Sequence, residues 1–193
     1  VLSDNIRGME ELVRYVYHCG HRRIAYIHGQ KSSYVTKDRL LSFYRTAAAL
    51  GLNVPKEYVR GSAYMDALGA QEQTRYLLDL DRPPTCILYP DDTALIGGRN
   101  EIIKRGMSIS KDMSIAGYDG LRMSQLLYPR LTTIRQDGER IGSEAALCLI
   151  QGIEDPKKRF QAPVVIPGEL MTGESVGRVG KNTVKGGPLL SKR

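Results

Sequence analysis

Cysteine is scarce in this chain of 193 residues, and long runs of apolar residues are missing. The three cysteines, Cys19, Cys86 and Cys148, are scattered and odd in number, which favours reduced thiols and a cytoplasmic location. No apolar run approaches the roughly 20 residues that a helix needs to span a bilayer, so no membrane partner is expected. The first residues lack the basic start and apolar stretch of a signal peptide, and the missing initiator Met favours a fragment or a processed chain.

Three motifs of common enzyme classes are absent as well. The chain contains no GxGxxG fingerprint, no phosphate-binding Walker loop and no G-x-S-x-G nucleophile elbow. These absences leave ordinary nucleotide chemistry and serine-hydrolase chemistry without support, and no cofactor is expected.

Positive charge is present, but it is concentrated at one end. The net charge is +7, and residues 177–193 contain five basic residues and no acidic one, so the other 176 residues carry only +2. A nearly neutral globule with a basic tail is a poor electrostatic footprint for a DNA-binding surface. No helix-turn-helix is legible either, and we expect the Gly/Lys-rich tail to be disordered.

Short apolar runs alternate with longer amphipathic segments along the chain. The runs predict strands near residues 24–27, 57–60, 86–89, 113–117 and 131–136, with further extended pieces at 164–166 and 169–172. The amphipathic segments predict helices near residues 6–19, 36–50, 67–80, 93–105 and 140–151. This alternation predicts an α/β fold in which a parallel sheet of four or five strands carries helices on both faces.

The stretch Pro84–Asn100 is the most informative part of the sequence. An apolar run at 86–89 leads through Pro90, Asp91 and Asp92 into a helix, which places both aspartates at the carboxyl end of a strand. Ligands bind at such ends in parallel sheets. One aspartate is enough to cap the helix, so the other is free for a second role. Gly97 and Gly98 lie within the predicted helix, where each costs roughly 0.5–1 kcal/mol relative to alanine, so they predict a close approach by another backbone.

Two groups of residues suggest metal sites, and neither is complete. His18-Cys19-Gly20-His21 supplies three ligand types at a helix end, but no matching ligand pair lies elsewhere and structural zinc sites need four ligands. Asp91, Asp92 and Asp119 follow two successive strands and are compatible with a Mg²⁺-dependent hydrolase. No phosphate-binding loop accompanies them, and Asp119 precedes Gly120 as a turn residue would.

A binding site for a polyhydroxylated ligand is the simpler interpretation. Arg39 lies near the start of the second helix and is predicted to face the same strand ends as Asp91 and Asp119. Each hydroxyl of a sugar both donates and accepts, so a guanidinium and carboxylates satisfy it together. Sugar sites often add an aromatic face. Since tryptophan is absent, the aromatic candidates are Tyr34, Phe43 and Tyr89.

These residues occur in an order and spacing that resemble a known family. The matching positions are Asp4-Asn5, Gly20–Ile27 (GHRRIAYI), Arg39 with Phe43, Pro90-Asp91-Asp92 with Ala94 and Gly97, Gly117-Tyr118-Asp119, and Leu131–Gln136 (LTTIRQ). The chain resembles the effector-binding, periplasmic-binding-protein-like region of the lactose/galactose-repressor family of bacterial transcription regulators. The resemblance covers residues 1–176.

The resemblance implies a division of the chain. Residues 1–136 would form the C-terminal subdomain of the effector-binding region, 137–162 a helix and loop of the N-terminal subdomain, 163–176 a returning strand, and 177–193 the basic tail. Family members carry an N-terminal helix-turn-helix that contacts DNA, and this chain shows none. The resemblance therefore implies a DNA-binding repressor whose DNA-binding module lies outside this chain.

The resemblance also implies roles for particular residues. Arg39, Asp91, Asp119 and Gln136 match positions that contact a small, sugar-like effector, without catalysis. Asp91 departs from the pattern, because the family commonly has Asn there. Family dimers use the C-terminal subdomain, which assigns Ile96, Gly97 and Ile103 to a homodimer interface. A secreted solute-binding protein of the same architecture and the Mg²⁺-dependent hydrolase stay open as alternatives.

Overall fold

The structure is a computed structural model that describes residues 1–155 and 162–180. The α-helices in those ranges are α1 (Asn5–His18), α2 (Tyr34–Ala49), α3 (Ala67–Leu78), α4 (Asp92–Lys104) and α5 (Gly138–Glu154). The strands are β1 (Leu2–Ser3), β2 (Ile24–His28), β3 (Val59–Gly61), β4 (Cys86–Leu88), β5 (Ser114–Asp119), β6 (Thr132–Arg135), β7 (Val165–Ile166) and β8 (Glu169–Met171). Most of the predicted tail, from residue 181 onward, lies outside the described residues.

Six strands form the main sheet, in the order β3-β2-β4-β5-β6-β8. The first five are parallel, and β8 pairs antiparallel with β6. The chain runs from β2 to the edge strand β3 and then back past β2 to β4, so the winding reverses beside β2. Such a reversal opens a crevice at the carboxyl ends of the strands. The predicted fold class is confirmed, with one antiparallel strand beyond the expected parallel set.

Helices cover both faces of this sheet because the strands are apolar on both sides. Along β2, Ile24 and Tyr26 belong to one buried cluster, which includes residues of α1 and α2. Ala25 and Ile27 belong to the other cluster, which includes residues of α3 and α4. Burying each large apolar side chain contributes roughly 1.5–3 kcal/mol, so two full layers make this sheet a rigid platform for its loops.

A second, smaller sheet shares no strand pairing with the main one. It contains β1 and β7, which pair in parallel through Leu2–Val165 and Ser3–Ile166. No residue of α5 is buried, and Ile153 is 70% exposed. Residues 163–176 thus contribute to both sheets, since β7 joins β1 whereas β8 extends the main sheet.

The two glycines of α4 are explained by packing within the chain. A Cβ on Gly97 would lie 1.8 Å from the backbone oxygen of Ala67, and one on Gly98 would lie 2.0 Å from the hydroxyl of Tyr89. The predicted close backbone approach at Gly97 is therefore made by α3. This corrects the assignment of Gly97 to a dimer interface, because the residue is buried against its own chain. Ile96 is half-buried and Ile103 is 45% exposed, so both keep surface for a partner.

Candidate functional site

Polar side chains gather at the carboxyl edge of the main sheet, where β2, β4, β5 and β6 end. They come from α2, from the turn after β4, from the last residue of β5 and from the residue after β6. We call Arg39, Asp91, Asp119 and Gln136 the rim. The structure brings these four predicted residues together through the contacts described next.

Arg39 is the buried centre of the rim. Its Nε donates to Asn5 Oδ1 at 2.8 Å, and its Nη1 donates to the carbonyl oxygen of Pro90 at 2.7 Å. The guanidinium carbon lies 3.4 Å from the centroid of the Tyr118 ring, within the range of a cation–π contact. Arg39 thereby connects α1, the end of β4 and the end of β5.

Asp91 is the cap of α4, and its second oxygen holds a neighbouring loop. Oδ1 accepts from the backbone N–H of Ala94 and Oδ2 from that of Met65, both at 2.8 Å. Met65 has a φ of 58°, which is uncommon for a residue with a side chain, so the carboxylate stabilises a strained turn. Both oxygens of this buried carboxylate therefore accept a backbone hydrogen bond.

Asp119 ends β5 in an unusual conformation. Its φ of 96° lies in the left-handed region, which aspartate tolerates better than most residues. Its Oδ1 accepts from Gln136 Nε2 at 2.5 Å. Burial raises the pKa of Asp119, and the nearby Arg39 guanidinium and the Gln136 amide oppose that rise. Unlike Asp91, the residue is only partly buried, so its carboxylate is available to a ligand.

Asp92 is a buried residue that holds the loop after β5 in place beside the rim, a role that the sequence analysis did not predict. Its carboxylate accepts from Leu121 N and lies 2.8 Å from the hydroxyls of Ser124 and Thr133. Burial raises the pKa of Asp92 to about 6. These contacts fix the loop after β5 to β6, and so fix Asp119 beside Gln136. The sequence feature that could have indicated this role is Thr133 in the LTTIRQ motif, because its hydroxyl donates to Asp92.

The aromatic candidates occupy three different environments. Tyr34 is 83% exposed at the start of α2, with the Lys37 ammonium 5.2 Å from its ring centroid. Phe43 is fully buried against Tyr26, and Tyr89 is fully buried with its hydroxyl 2.8 Å from Thr74 Oγ1. The predictions for Phe43 and Tyr89 are corrected, because core side chains offer no face to a ligand.

The residues proposed as metal ligands make other contacts. His18 Nδ1 lies 2.6 Å from the carbonyl of Arg14, and His21 lies within hydrogen-bond distance of Thr85 Oγ1 and the Gly177 carbonyl. Both oxygens of Asp91 and of Asp92 face hydrogen-bond donors, which a hard cation would have to displace. Across residues 1–155 and 162–180, no three His, Cys, Asp or Glu side chains form a group that could hold a metal ion. None of the described helices is long and apolar enough to cross a membrane.

The comparisons with known proteins agree with this architecture. Residues 13–176 match the family described as periplasmic binding protein-like domain. The transcriptional repressor CytR of Escherichia coli K12 is 30% identical over 151 residues, which are 78% of this chain and 44% of that protein. The chain spans about half the length of the curated relatives it matches.

Two solved structures show the same fold. A LacI transcriptional regulator from Bacillus cereus subsp. cytotoxis aligns with a TM-score of 0.88 at 27% identity, over 92% of this chain and 62% of that one. A LacI family regulator from Enterococcus faecium, solved with bound ribose, aligns with a TM-score of 0.82 at 23% identity, over 92% and 65% of the two chains. The resemblance seen in the sequence motifs is confirmed, and the chain belongs to the family of periplasmic binding protein-like domains.

Proposed function

We propose that this chain is the effector-binding region of a bacterial DNA-binding transcription regulator, and that it binds a small sugar-like molecule without catalysis. The observation that carries the proposal is the convergence of Arg39, Asp91, Asp119 and Gln136 at the carboxyl edge of the sheet, beside the reversal in winding. Charged and amide groups held at a crevice suit a ligand with many hydroxyls.

The relatives support the regulatory part of this proposal. CytR is named as a helix-turn-helix repressor, and the Enterococcus faecium regulator holds ribose. By analogy, the DNA contacts would come from an N-terminal module in the cytoplasm, and this chain would sense the effector. Binding without chemistry is favoured because the oxygens of Asp91 and Asp92 that a hydrolase would use for Mg²⁺ already face internal donors.

The experiment that tests the proposal is a ligand screen by thermal unfolding. A panel of sugars and nucleobases is added to the chain, and to a version extended to the length of its relatives. A ligand that binds only the native state raises the midpoint of unfolding. We expect at least one sugar to do so, with a larger rise for the extended version, because a closing cleft needs both walls. The proposal fails if no sugar shifts either midpoint, or if Asp119→Ala leaves the shift unchanged.

We also propose that α4 takes part in a homodimer. Large apolar side chains are exposed near it, including Leu126 at 80% and Tyr128 at 85%. Arg99 Nη2 donates to the Tyr128 carbonyl at 3.0 Å, so this loop lies beside α4. An isologous interface would place both helices at the twofold axis.

The dimer is tested by sedimentation of Ile96→Glu, with Ile153→Glu on α5 as the matched control. A charge at the seam should produce monomers, because a buried, unpaired carboxylate is costly. The charge on α5 should leave the dimer intact. A dimer that survives Ile96→Glu but dissociates with Ile153→Glu would assign the contact to α5 instead.

A further inference from the structure

The hydrogen-bond donors of the rim are largely committed to the protein itself. Arg39 donates through Nε to Asn5 and through Nη1 to Pro90, which leaves Nη2 as its only nitrogen without a partner among the described residues. Only 2% of Arg39 is exposed. Gln136 Nε2 donates to Asp119. A ligand approaching this edge therefore meets few donors.

The acceptors of the rim are in excess by comparison. Asp119 Oδ2 has no hydrogen-bond partner within residues 1–155 and 162–180, and the residue is partly exposed. An ionised carboxylate has about four acceptor positions, and Asp91 uses two of them for Ala94 and Met65. Since the two N–H groups approach different oxygens, an asparagine in the same orientation would place its NH2 group against one of them, so the carboxylate fits this pair of contacts.

The rim thus combines two carboxylates with one guanidinium that is already paired and stacked. A ligand group placed here is stabilised if it donates, as a hydroxyl or an ammonium does. A ligand carboxylate or phosphate would bring a further negative charge to the partly exposed Asp119, and juxtaposed like charges act against a ligand.

We propose that this rim selects its effector by the hydrogen-bond donors of the ligand. Neutral and amino-substituted sugars then bind, whereas uronates and sugar phosphates are rejected. This inference rests on the proposed function, since it presumes that the rim is where the effector binds. Asp119 is the residue that determines the preference through its unpaired Oδ2, and the buried Asp91 adds only its charge.

The test is an NMR titration of the ¹⁵N-labelled chain with matched sugars. The probes are glucose, glucosamine and glucuronate, and the corresponding galactose series, so that one substituent changes at constant ring shape. The side-chain amide of Gln136 and the backbone amide of Gly120 report on the rim. We expect the uronate of the better series to bind on the order of tenfold or more weakly than its neutral parent, and the amine at least as well as the parent.

Asp119→Asn is the principal variant, because asparagine tolerates a positive φ and keeps an oxygen for Gln136. It removes a charge and adds a hydrogen-bond donor, so the dissociation constant of the uronate should come within about threefold of that of the neutral sugar. Asp91→Asn should act in the same direction with a loss of thermal stability. Asp81→Asn, an exposed substitution at the opposite edge of the sheet, should preserve the original ranking.

The outcomes separate this inference from the proposed function. A uronate that binds as well as its neutral parent overturns the selection by donors while leaving sugar binding intact. An unchanged ranking in Asp119→Asn overturns the role of that carboxylate. The absence of any rim shift with all six probes overturns sugar binding by this chain.

Discussion

The two edges of the main sheet are built in opposite ways. At the carboxyl edge, Arg39, Asp91 and Asp92 are buried, and each makes at least two polar contacts within the protein. At the amino edge, a cavity of about 490 Å³ is lined by residues that include Glu57, Asp81 and Arg82, all exposed. None of these three forms an ion pair within residues 1–155 and 162–180.

The difference shows why the size of a cavity is a weak guide to function here. Exposed charges keep their hydration and are free to move, so an amino-edge cavity lined by them costs the fold little. Burying charged groups is costly unless their positions are fixed by partners. A chain that retains such groups at one edge has them in a defined geometry, which is what recognition of a ligand requires.

The largest contrast between the edges should come from removing one aspartate at each. Asp92→Ala leaves Leu121 N–H and the Thr133 hydroxyl without their acceptor, so we expect a loss of about 2–4 kcal/mol in the free energy of unfolding. Asp81→Ala, at the amino edge, should change it by less than about 0.5 kcal/mol. Urea unfolding at pH 7 measures both. Equal losses would mean that the two edges do not differ in how their charges are held.

The pH dependence of stability should also have its origin at the carboxyl edge. Burial raises the pKa of Asp92 to about 6 in the folded protein. The pKa of an aspartate in an unfolded chain is about 3.9. The native state therefore binds more protons between these values. The stability linked to protonation of Asp92 is present below about pH 4 and is lost as pH rises through 6, whereas the hydrogen bonds that its carboxylate accepts remain.

Asp92→Asn removes this titration. The parent chain loses this stability as pH rises from 4 to 7 and the variant does not. The difference in free energy of unfolding, variant minus parent, should therefore rise by on the order of 3 kcal/mol over that range. Ser124→Ala, which removes a donor to the charged carboxylate, should shift the midpoint of Asp92 to higher pH in a ¹³C-detected titration. Parallel stability curves for the parent and Asp92→Asn would contradict the assignment.

Much of the fold was predictable because strands and helices have different periods. The runs at 24–27 and 86–89 fall on β2 and β4, and the amphipathic segment at 36–50 falls on α2 to within two residues. β1 has only two residues, too few to show any period, and its pairing with β7 joins segments about 160 residues apart. Long-range pairing of this kind leaves no local signal in a single sequence.

The positions of Asp91 and Asp119 could be predicted because they follow strands, whereas Gln136 was implied only by the family resemblance. The orientation of nearby side chains was less predictable. Phe43 follows Arg39 by four residues on α2, so the two share one helix face, and that face is the buried one. The spacing could have assigned Phe43 to the core. Which aspartate caps α4 could not be read from the sequence, because both positions are compatible with a cap, and only the contacts of Asp92 with β6 separate them.

A smaller effect is expected when the geometry of Arg39 changes at constant charge. Arg39→Lys retains a cation but cannot reach Asn5 and Pro90 together or stack flat on Tyr118, so it should cost about 1–3 kcal/mol in the free energy of unfolding. Arg82→Lys, its counterpart at the amino edge, should cost less than about 0.5 kcal/mol. Chemical denaturation of the two variants gives the comparison. Full stability of Arg39→Lys would show that a point charge is sufficient at this position.

The smallest effect should come from neutralising two charges of the amino-edge cavity, those of Asp81 and Arg82. The double variant Asp81→Asn with Arg82→Gln removes one charge of each sign, so the net charge of the chain is unchanged. Because both side chains are exposed and unpaired within the described residues, the free energy of unfolding should stay within about 0.5 kcal/mol of the parent value. The shift that glucosamine produces at the Gln136 side-chain amide should also be unchanged, since the cavity and the rim lie at opposite ends of the strands. NMR spectra of the parent and the double variant at the same glucosamine concentration measure this shift directly. A reduced shift would mean that the amino-edge cavity communicates with the rim, and the division of the sheet into a structured binding edge and a passive edge would then be wrong.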